Sequence, residues 1–220
     1  MIAEEIKRLH SELPEGVRLC AVSKFHPAEA IRQAYDAGQR IFGESRVQEL
    51  LAKVDELPSD IQWHFIGHLQ TNKVKSLIGK TALIESVDSE RLLGLIDRES
   101  EKAGVVTRVL MQLHVAKEET KFGFSPEELI AYFTERRFER LNATHLCGVM
   151  GMASNTDDTD RVRDDFRIIS ETRKRILEAA PDLRGFDIVS MGMSGDWHIA
   201  VDEGSNLVRI GTAIFGERQY

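Results

Sequence analysis

One lysine in this sequence stands where a lysine could carry out covalent chemistry. Lys24 follows the short apolar run 17–22, which is bounded upstream by Pro14 and Gly16 and is typical of a strand buried on both faces. Pro27 stands where a helix would begin, so Lys24 lies in the turn at the carboxyl end of that strand. Ligands and catalytic groups collect at this edge of parallel α/β folds. Lys24 is therefore either a solvated surface amine or, if desolvated, a Schiff-base nucleophile.

Two glycine-rich segments near the end of the sequence have the composition of a phosphate site. Residues 190–196 read Ser-Met-Gly-Met-Ser-Gly-Asp and precede a short helical segment, and residues 209–216 read Arg-Ile-Gly-Thr-Ala-Ile-Phe-Gly. Glycines let a backbone approach an anion closely, and the hydroxyls of Ser194 and Thr212 add donors. Glycine and serine also serve ordinary tight turns, so either segment alone is weak evidence of a ligand.

Lys24 and these segments can meet only if the fold brings the first and last strands together. Eight strand-like segments alternate with helical segments, at residues 17–22, 40–43, 63–67, 82–85, 105–115, 145–150, 186–189 and 207–210. Such alternation predicts parallel strands with right-handed crossovers, and eight of them can close into a (β/α)8 barrel. In a closed barrel the first strand neighbours the eighth, and the loops after strands seven and eight commonly hold phosphate.

We predict a single α/β domain over residues 1–220, a (β/α)8 TIM barrel with an additional N-terminal helix and no C-terminal β domain. Ile2, Ile6 and Leu9 recur at helical spacing, and their helix supplies the layer that no helix after strand eight provides. An open doubly wound sheet is the alternative. The sequence lacks the Gly-x-Gly-x-x-Gly opening that would favour it.

The composition argues against several classes of function. The net charge of −7, from 29 basic and 36 acidic residues, disfavours nucleic-acid binding. No apolar stretch has the length of a membrane span, and the charged N-terminus does not fit a signal peptide, so we expect a cytoplasmic protein. Cys20 and Cys147 lie in apolar runs and are expected to be buried thiols. His64 and His68 lack the further ligands of a zinc site, so we expect no metal.

A lysine beside a phosphate site suggests pyridoxal 5′-phosphate (PLP), or else an aldolase acting on a phosphorylated carbonyl. Arg209 bears on this choice because, if it points inward at the end of strand eight, it can donate to a pyridine nitrogen. A permanent cation there disfavours protonation of the ring, and an unprotonated ring is a poor electron sink. Such a site favours carriage of the cofactor over carbanion chemistry.

Five blocks of this sequence resemble the signature blocks of the pyridoxal phosphate homeostasis protein family. They are Ala-Val-Ser-Lys at 21–24, Phe-Gly-Glu at 42–44, Trp-His-Phe-Ile-Gly-His-Leu-Gln-Thr-Asn-Lys at 63–73, and the segments 190–196 and 209–216. The resemblance runs from residue 21 to the carboxyl terminus in the order of the family. It implies a fold like the barrel domain of alanine racemase, and a cytosolic protein that binds PLP without established catalytic turnover.

The resemblance also implies roles for individual residues. Lys24 would form the internal aldimine, Arg209 would face the pyridine nitrogen, and the phosphate would be held by Ser194, Gly211 and Thr212. Met193, in the same block as Ser194, is expected at the site as well. Enzymes that need PLP are the candidate partners. The absence of a second domain favours a monomer.

Two positions depart from the family pattern. Ser45 stands where the family commonly has asparagine after Phe-Gly-Glu, and His114 stands where it commonly has asparagine in the fifth strand. We expect both side chains at the cofactor. A short polar group at position 45 would leave room for water, and His114 would titrate near neutral pH if it lined the pocket.

The competing function is that of a PLP-dependent amino-acid racemase. A racemase needs bases on both faces of the cofactor, and Lys24 offers only one. In racemases the opposite base is a tyrosine from a second domain, whereas this sequence ends at Tyr220 directly after the barrel. Tyr35 and Tyr132 are assigned to outer helices and are poor substitutes. A Schiff-base aldolase without PLP is a third possibility.

Overall fold

The computed structural model describes residues 1–115 and 122–216, in which eight parallel strands close into a barrel. The strands are β1 Arg18–Val22, β2 Ile41–Glu44, β3 Gln62–Phe65, β4 Leu83–Val87, β5 Thr107–Gln112, β6 Thr144–Met150, β7 Ile188–Ser190 and β8 Leu207–Ile210. Each strand pairs with the next, and β8 pairs with β1 from Arg18↔Leu207 to Ala21↔Ile210. The (β/α)8 barrel is confirmed, and the open sheet is wrong because β1 and β8 are paired.

Helices cover the outside of the barrel. They are α1 Ile2–Glu12, α2 Ala28–Asp36, α3 Val47–Glu56, α4 Val74–Leu77, α5 Glu90–Ala103, α6 Pro126–Thr134, α7 Thr159–Ala179, α8 Trp197–Asp202 and α9 Thr212–Phe215, with 3-10 turns at Thr71–Lys73 and Arg137–Arg140. The expected N-terminal helix is confirmed as α1, which buries Ile6 and Leu9 and contacts α2 and α9. In the described part of the chain, no helix is both long enough and apolar enough to cross a membrane.

The structure corrects three predicted elements. A short helix, α9, does follow the eighth strand, between Gly211 and Gly216. Between the third and fourth strands, the alternation predicts a helix over about residues 71–78. The structure has a 3-10 turn followed by the single turn α4, which ends where Ile78 leaves the helical conformation and Gly79 is left-handed. The fifth strand, predicted over 105–115, is shorter and runs from Thr107 to Gln112, the residues that pair with β6.

Alternation along the strands divides the core into two layers. One set of side chains packs between strands and helices, with Phe42, Phe65 and Phe166 among the largest fully buried members. The other set fills the barrel interior and consists of Cys20, Leu83, Leu110, Cys147, Met150, Ile188 and Leu207. Both cysteines are buried and unbridged, as expected. Buried polar residues share this interior at the carboxyl ends of the strands, and they lead to the candidate site.

Candidate functional site

A cavity of about 290 Å³ opens at the carboxyl ends of the strands. Its volume is near the lower end of the range for small-molecule sites, roughly 300–1,000 Å³. Seven of the eight residues predicted for the site line it, namely Lys24, Ser45, Met193, Ser194, Arg209, Gly211 and Thr212. These residues come from the loops after β1, β2 and β7 and from β8 with its loop. The barrel therefore assembles most of the predicted site in one place.

His114 is the predicted residue that does not line this cavity. It lies beyond the end of β5, where its backbone amide donates to the carbonyl of Phe124 at 2.9 Å and Leu113 forms an isolated bridge with Phe124. The imidazole is half-buried, and its Nδ1 atom has no hydrogen-bond partner among the described residues. The backbone pairing with Phe124 holds this segment against the stretch of chain that leads into α6.

The two glycine-rich segments meet on one side of the cavity. The amide of Gly211 donates to Oγ of Ser194 at 3.4 Å, which joins the loop after β7 to the loop after β8. A Cβ atom at Gly211 would come within 3.1 Å of the carbonyl oxygen of Val22, so a larger residue would crowd the strand that leads to Lys24. The closely approaching backbone at Gly211, the hydroxyls of Ser194 and Thr212 and the first turn of α9 suit an anionic group.

Arg209 is held by the barrel itself. The guanidinium donates to Oγ of Ser190 at 2.5 Å and to the carbonyl of Gly151 at 2.9 Å, and the residue is only 5% exposed. It also lines the cavity. Because two of its donors are already engaged by the protein, the direction of the guanidinium is set by the barrel.

Glu85 is the counter-charge of Arg209. Its Oε2 atom accepts from Ser190 Oγ at 2.5 Å and lies 3.7 Å from Arg209 Nη1, while Oε1 is hydrogen-bonded to Nδ1 of His64 at 2.6 Å. Complete burial by itself would raise the pKa of Glu85, but the bond from His64, the charges of His64 and Arg209 and the bond from Ser190 outweigh it. The pKa of Glu85 therefore lies below its ordinary value, and the group is a carboxylate.

Three atoms that can ligate metals also meet in this interior. Sγ of Cys20 and the side chains of His64 and Glu85 place their donor atoms within 4.8 Å of one another, and all three residues are buried. Burial raises the pKa of the Cys20 thiol well above its usual range, so the sulfur stays protonated and is a weak ligand. The nearby Arg209 cation also opposes a metal ion. This chemistry favours a hydrogen-bonded interior over a metal centre.

Lys24 lies in a strained turn. The amide of His26 donates to the carbonyl of Ser23 at 3.1 Å, so residues 23–26 form a β-turn with Lys24 at its second position. Phe25, at the third position, has a φ angle of +70°, a left-handed conformation that usually needs glycine. Such a conformation costs about 1–3 kcal/mol and persists only where surrounding contacts impose it.

Sequence reasoning missed several residues of the site. His26 lines the cavity and stacks on Phe215 with ring centroids 5.0 Å apart, and Ile66 and Met152 complete the apolar wall. The position of His26 two residues after Lys24 is a signal that was available in the sequence. Gly67 also lines the cavity, and a Cβ atom there would lie 2.3 Å from the carbonyl oxygen of Ser45.

The sequence of this chain is similar to those of known proteins. The family profile described as "Alanine racemase, N-terminal domain" matches residues 1–219. The pyridoxal phosphate homeostasis protein of Aquifex aeolicus is 42% identical over 208 residues, which cover 92% of this chain and 88% of that protein. The protein of the same name from Schizosaccharomyces pombe is 38% identical over 208 residues, which cover 92% of this chain and 85% of that protein.

This chain belongs to the pyridoxal phosphate homeostasis protein family. The family resemblance in the sequence is thereby confirmed. PipY of Synechococcus elongatus has been solved without PLP and with PLP bound. The first structure has a TM-score of 0.93 at 38% identity and the second 0.89 at 37%, each covering 98% of this chain and 100% of PipY. An alanine racemase of Clostridium difficile, 16% identical with a TM-score of 0.78, covers 100% of this chain and 56% of its own length. It shares the fold.

Proposed function

We propose that this chain binds PLP in the cavity at the mouth of the barrel and serves in PLP homeostasis. The observation that carries the proposal is the meeting of Lys24, Arg209 and the Ser194–Gly211 contact around one cavity. The PLP-bound structure of PipY, at 37% identity over nearly the whole chain, supports the same ligand.

Each part of the cavity would contact a different part of PLP. Ser194, Thr212 and the backbone at Gly211 would hold the phosphate, where backbone amides and hydroxyls suit an anion. Arg209 would face the pyridine nitrogen as a donor that stays protonated. Lys24 would bind the aldehyde as a Schiff base, in which the Nζ amine adds to the aldehyde carbon and one water molecule leaves.

Met193, Ser45 and His114 have smaller roles in this proposal. Met193 is 42% exposed at the cavity rim, where its side chain would cover one edge of the ligand. Ser45 lines the wall, where it would contact the ligand directly or through water. His114 does not line the cavity, so it would act on bound PLP only from outside the cavity wall.

We infer that the chain carries PLP and does not turn over a substrate. Racemisation needs a second base opposite the lysine, and no tyrosine of residues 1–115 and 122–216 lines the cavity. Tyr35 donates to Asp60 on an exposed part of the helical layer, and Tyr132 is buried in α6. Tyr220 lies outside the described residues. A permanently charged Arg209 at the ring would also weaken carbanion chemistry.

The proposal extends to how PLP leaves the chain. We infer that enzymes lacking their PLP receive it from a monomer of this chain in the cytoplasm. The cavity opens at the end of the barrel, so PLP can exchange without opening the strands. Hydrolysis of the Schiff base would return the free amine of Lys24 and the aldehyde.

Absorbance spectroscopy tests the proposal. Incubation with PLP should give the visible band of a protonated Schiff base, and Lys24→Ala should abolish it. Lys102→Ala, at a side chain 68% exposed on α5, is the matched control and should keep the band. If the original chain gives no band, the proposal that it carries PLP is wrong. If the chain racemises alanine at ordinary enzyme rates, its function is that of a racemase.

A further inference from the structure

The turn that carries Lys24 is held by three charged side chains, of which Glu44 and Lys53 are buried and Glu49 is partly buried. Lys53 of α3 is 6% exposed and donates to Glu44 at 2.7 Å and to Glu49 at 2.7 Å. The same ammonium group donates to the carbonyl of Ser23 at 2.9 Å. All three donors of the ammonium group are thus used, one of them on the residue just before Lys24.

The two carboxylates complete the attachment. Oε1 of Glu44 accepts from Oγ of Ser23 at 2.6 Å, and Oε1 of Glu49 accepts from the amide of Phe25 at 2.6 Å. The charge cluster formed by Glu44, Glu49 and Lys53 therefore contacts both chain neighbours of Lys24. A guanidinium from Arg46 also lies 4.6 Å from the ring centroid of Phe25.

Packing alone does not account for this charge cluster. Burying charges is costly, and apolar residues of similar size would join a helix to a strand at least as stably. The cost is visible at Glu44, where burial outweighs the charge of Lys53 and raises the pKa of the carboxyl. What the charges provide is direction, since they bind the carbonyl before Lys24 and the amide after it.

We propose that Lys53 and Glu49 are positioning residues for Lys24. They hold the left-handed conformation of Phe25 and so fix the turn from which the lysine enters the cavity. This inference rests on the proposed function, because it concerns condensation of Lys24 with the PLP aldehyde. A reacting group displaced by 1 Å can lose a factor of about 100 in rate.

The positioning role separates two ligands of similar shape. PLP must condense with Lys24, whereas pyridoxamine 5′-phosphate has an amine in place of the aldehyde and cannot. Both would use Arg209 and the phosphate contacts after β7 and β8, far along the chain from the turn. Loosening the turn should therefore slow condensation of PLP and leave the affinity for pyridoxamine 5′-phosphate unchanged.

Glu49→Gln and Lys53→Met test the inference in the full-length chain. We expect the rate constant for growth of the PLP absorbance band to fall about 10- to 100-fold, the scale of a displaced reacting group. Titration calorimetry should give the original dissociation constant for pyridoxamine 5′-phosphate. Glu49→Gln keeps the shape of the side chain, so it decides the matter if Lys53→Met does not fold.

Asp97→Asn is the matched control. Asp97 is 6% exposed, and its side chain accepts hydrogen bonds from the backbone amides of Asn142 and Ala143. These two residues precede the amino end of β6, away from the cavity. The Asp97→Asn substitution should lower the melting temperature and leave the rate of PLP condensation unchanged. Original rates in both cluster variants, or equal losses for both ligands, would overturn the positioning role. Failure of the proposed function would be distinguishable from failure of the positioning role, because the original chain would then give no absorbance band with PLP.

Discussion

At Arg209, removal of the guanidinium takes away both the proposed contact to the pyridine ring and the cation beside Glu85. We expect Arg209→Ala to weaken PLP retention and shift the absorbance band while the circular dichroism spectrum keeps its form. Equilibrium dialysis and absorbance measure these effects. Arg108→Ala, on β5 with its guanidinium at Cys147, is the control and should change neither. Unchanged affinity and spectrum in Arg209→Ala would refute the assigned contact.

Glu85 should make stability depend on acid. Its folded pKa is lowered, so the stabilisation is fully present above the ordinary carboxyl pKa, about 4.3, and is lost as pH falls through the folded pKa. Glu85→Gln should cost roughly 1–3 kcal/mol of unfolding free energy at pH 7, as expected for a broken charged hydrogen bond. Below pH 5, the free energy of unfolding should also fall less steeply with pH in the variant than in the original chain.

Urea unfolding at a series of pH values measures both quantities. Glu29→Gln, at an exposed position on α2, is the control and should follow the original curve. Parallel curves for Glu85→Gln and the original chain would show that the buried carboxylate does not titrate as described.

Sequence patterns identify some residues of this site better than others. Lys24 and the two glycine-rich segments are visible because a charged or flexible residue interrupts an apolar pattern. Glu85 was missed because strands buried on both faces lack the alternation that reveals which side chains point into the barrel. His26 was missed although it lies in the same turn as Lys24, because a loop position does not by itself show which way the side chain points. The interior network of Glu85 depends on β3, β7 and β8 meeting, which no local pattern describes.

At the scale of the elements, the loop after β3 depends on a close approach of two backbones. A methyl group at Gly67 would lie 2.3 Å from the carbonyl oxygen of Ser45, in the cavity wall. We expect Gly67→Ala to cost about 1–3 kcal/mol of unfolding free energy, as overpacking does, and to weaken PLP binding. Gly94→Ala, inside α5, should instead stabilise by roughly 1 kcal/mol, since alanine favours helices.

Thermal unfolding and PLP titration of both glycine variants provide the measurement. An unaltered melting temperature in Gly67→Ala would mean that the two loops separate easily, and the fixed wall would then be wrong.

Helix boundaries follow from the sequence where the end signals are local. At α6 the signal is the sequence Ser125-Pro126-Glu127-Glu128, which forms a capping box: Ser125 Oγ accepts from the amide of Glu128, and the Glu128 carboxylate accepts from the amide of Ser125. Gly104 ends α5 with a φ angle of +67°. Gly79, with a φ angle of +76°, likewise follows the single turn α4, whereas no comparable signal at residues 71–73 marks the change from a 3-10 turn to an α-helix.

At the scale of the whole molecule, closure of the barrel assembles the proposed site. Pairing of β1 with β8 brings Lys24 beside Arg209 and Gly211, which are far apart in the sequence. The count and order of strands predict this closure, but their register is set by packing of the complete interior. The charge cluster behind Lys24 likewise depends on β1, β2 and α3 being assembled together.

Covalent mapping tests most directly whether Lys24 holds PLP. The PLP-loaded chain is reduced with borohydride, digested and analysed by mass spectrometry. We expect a phosphopyridoxyl group on Lys24 in near-equal proportion to the protein. Modification spread over other lysines, or absent from Lys24 at full occupancy of the cavity, would show that Lys24 does not hold PLP.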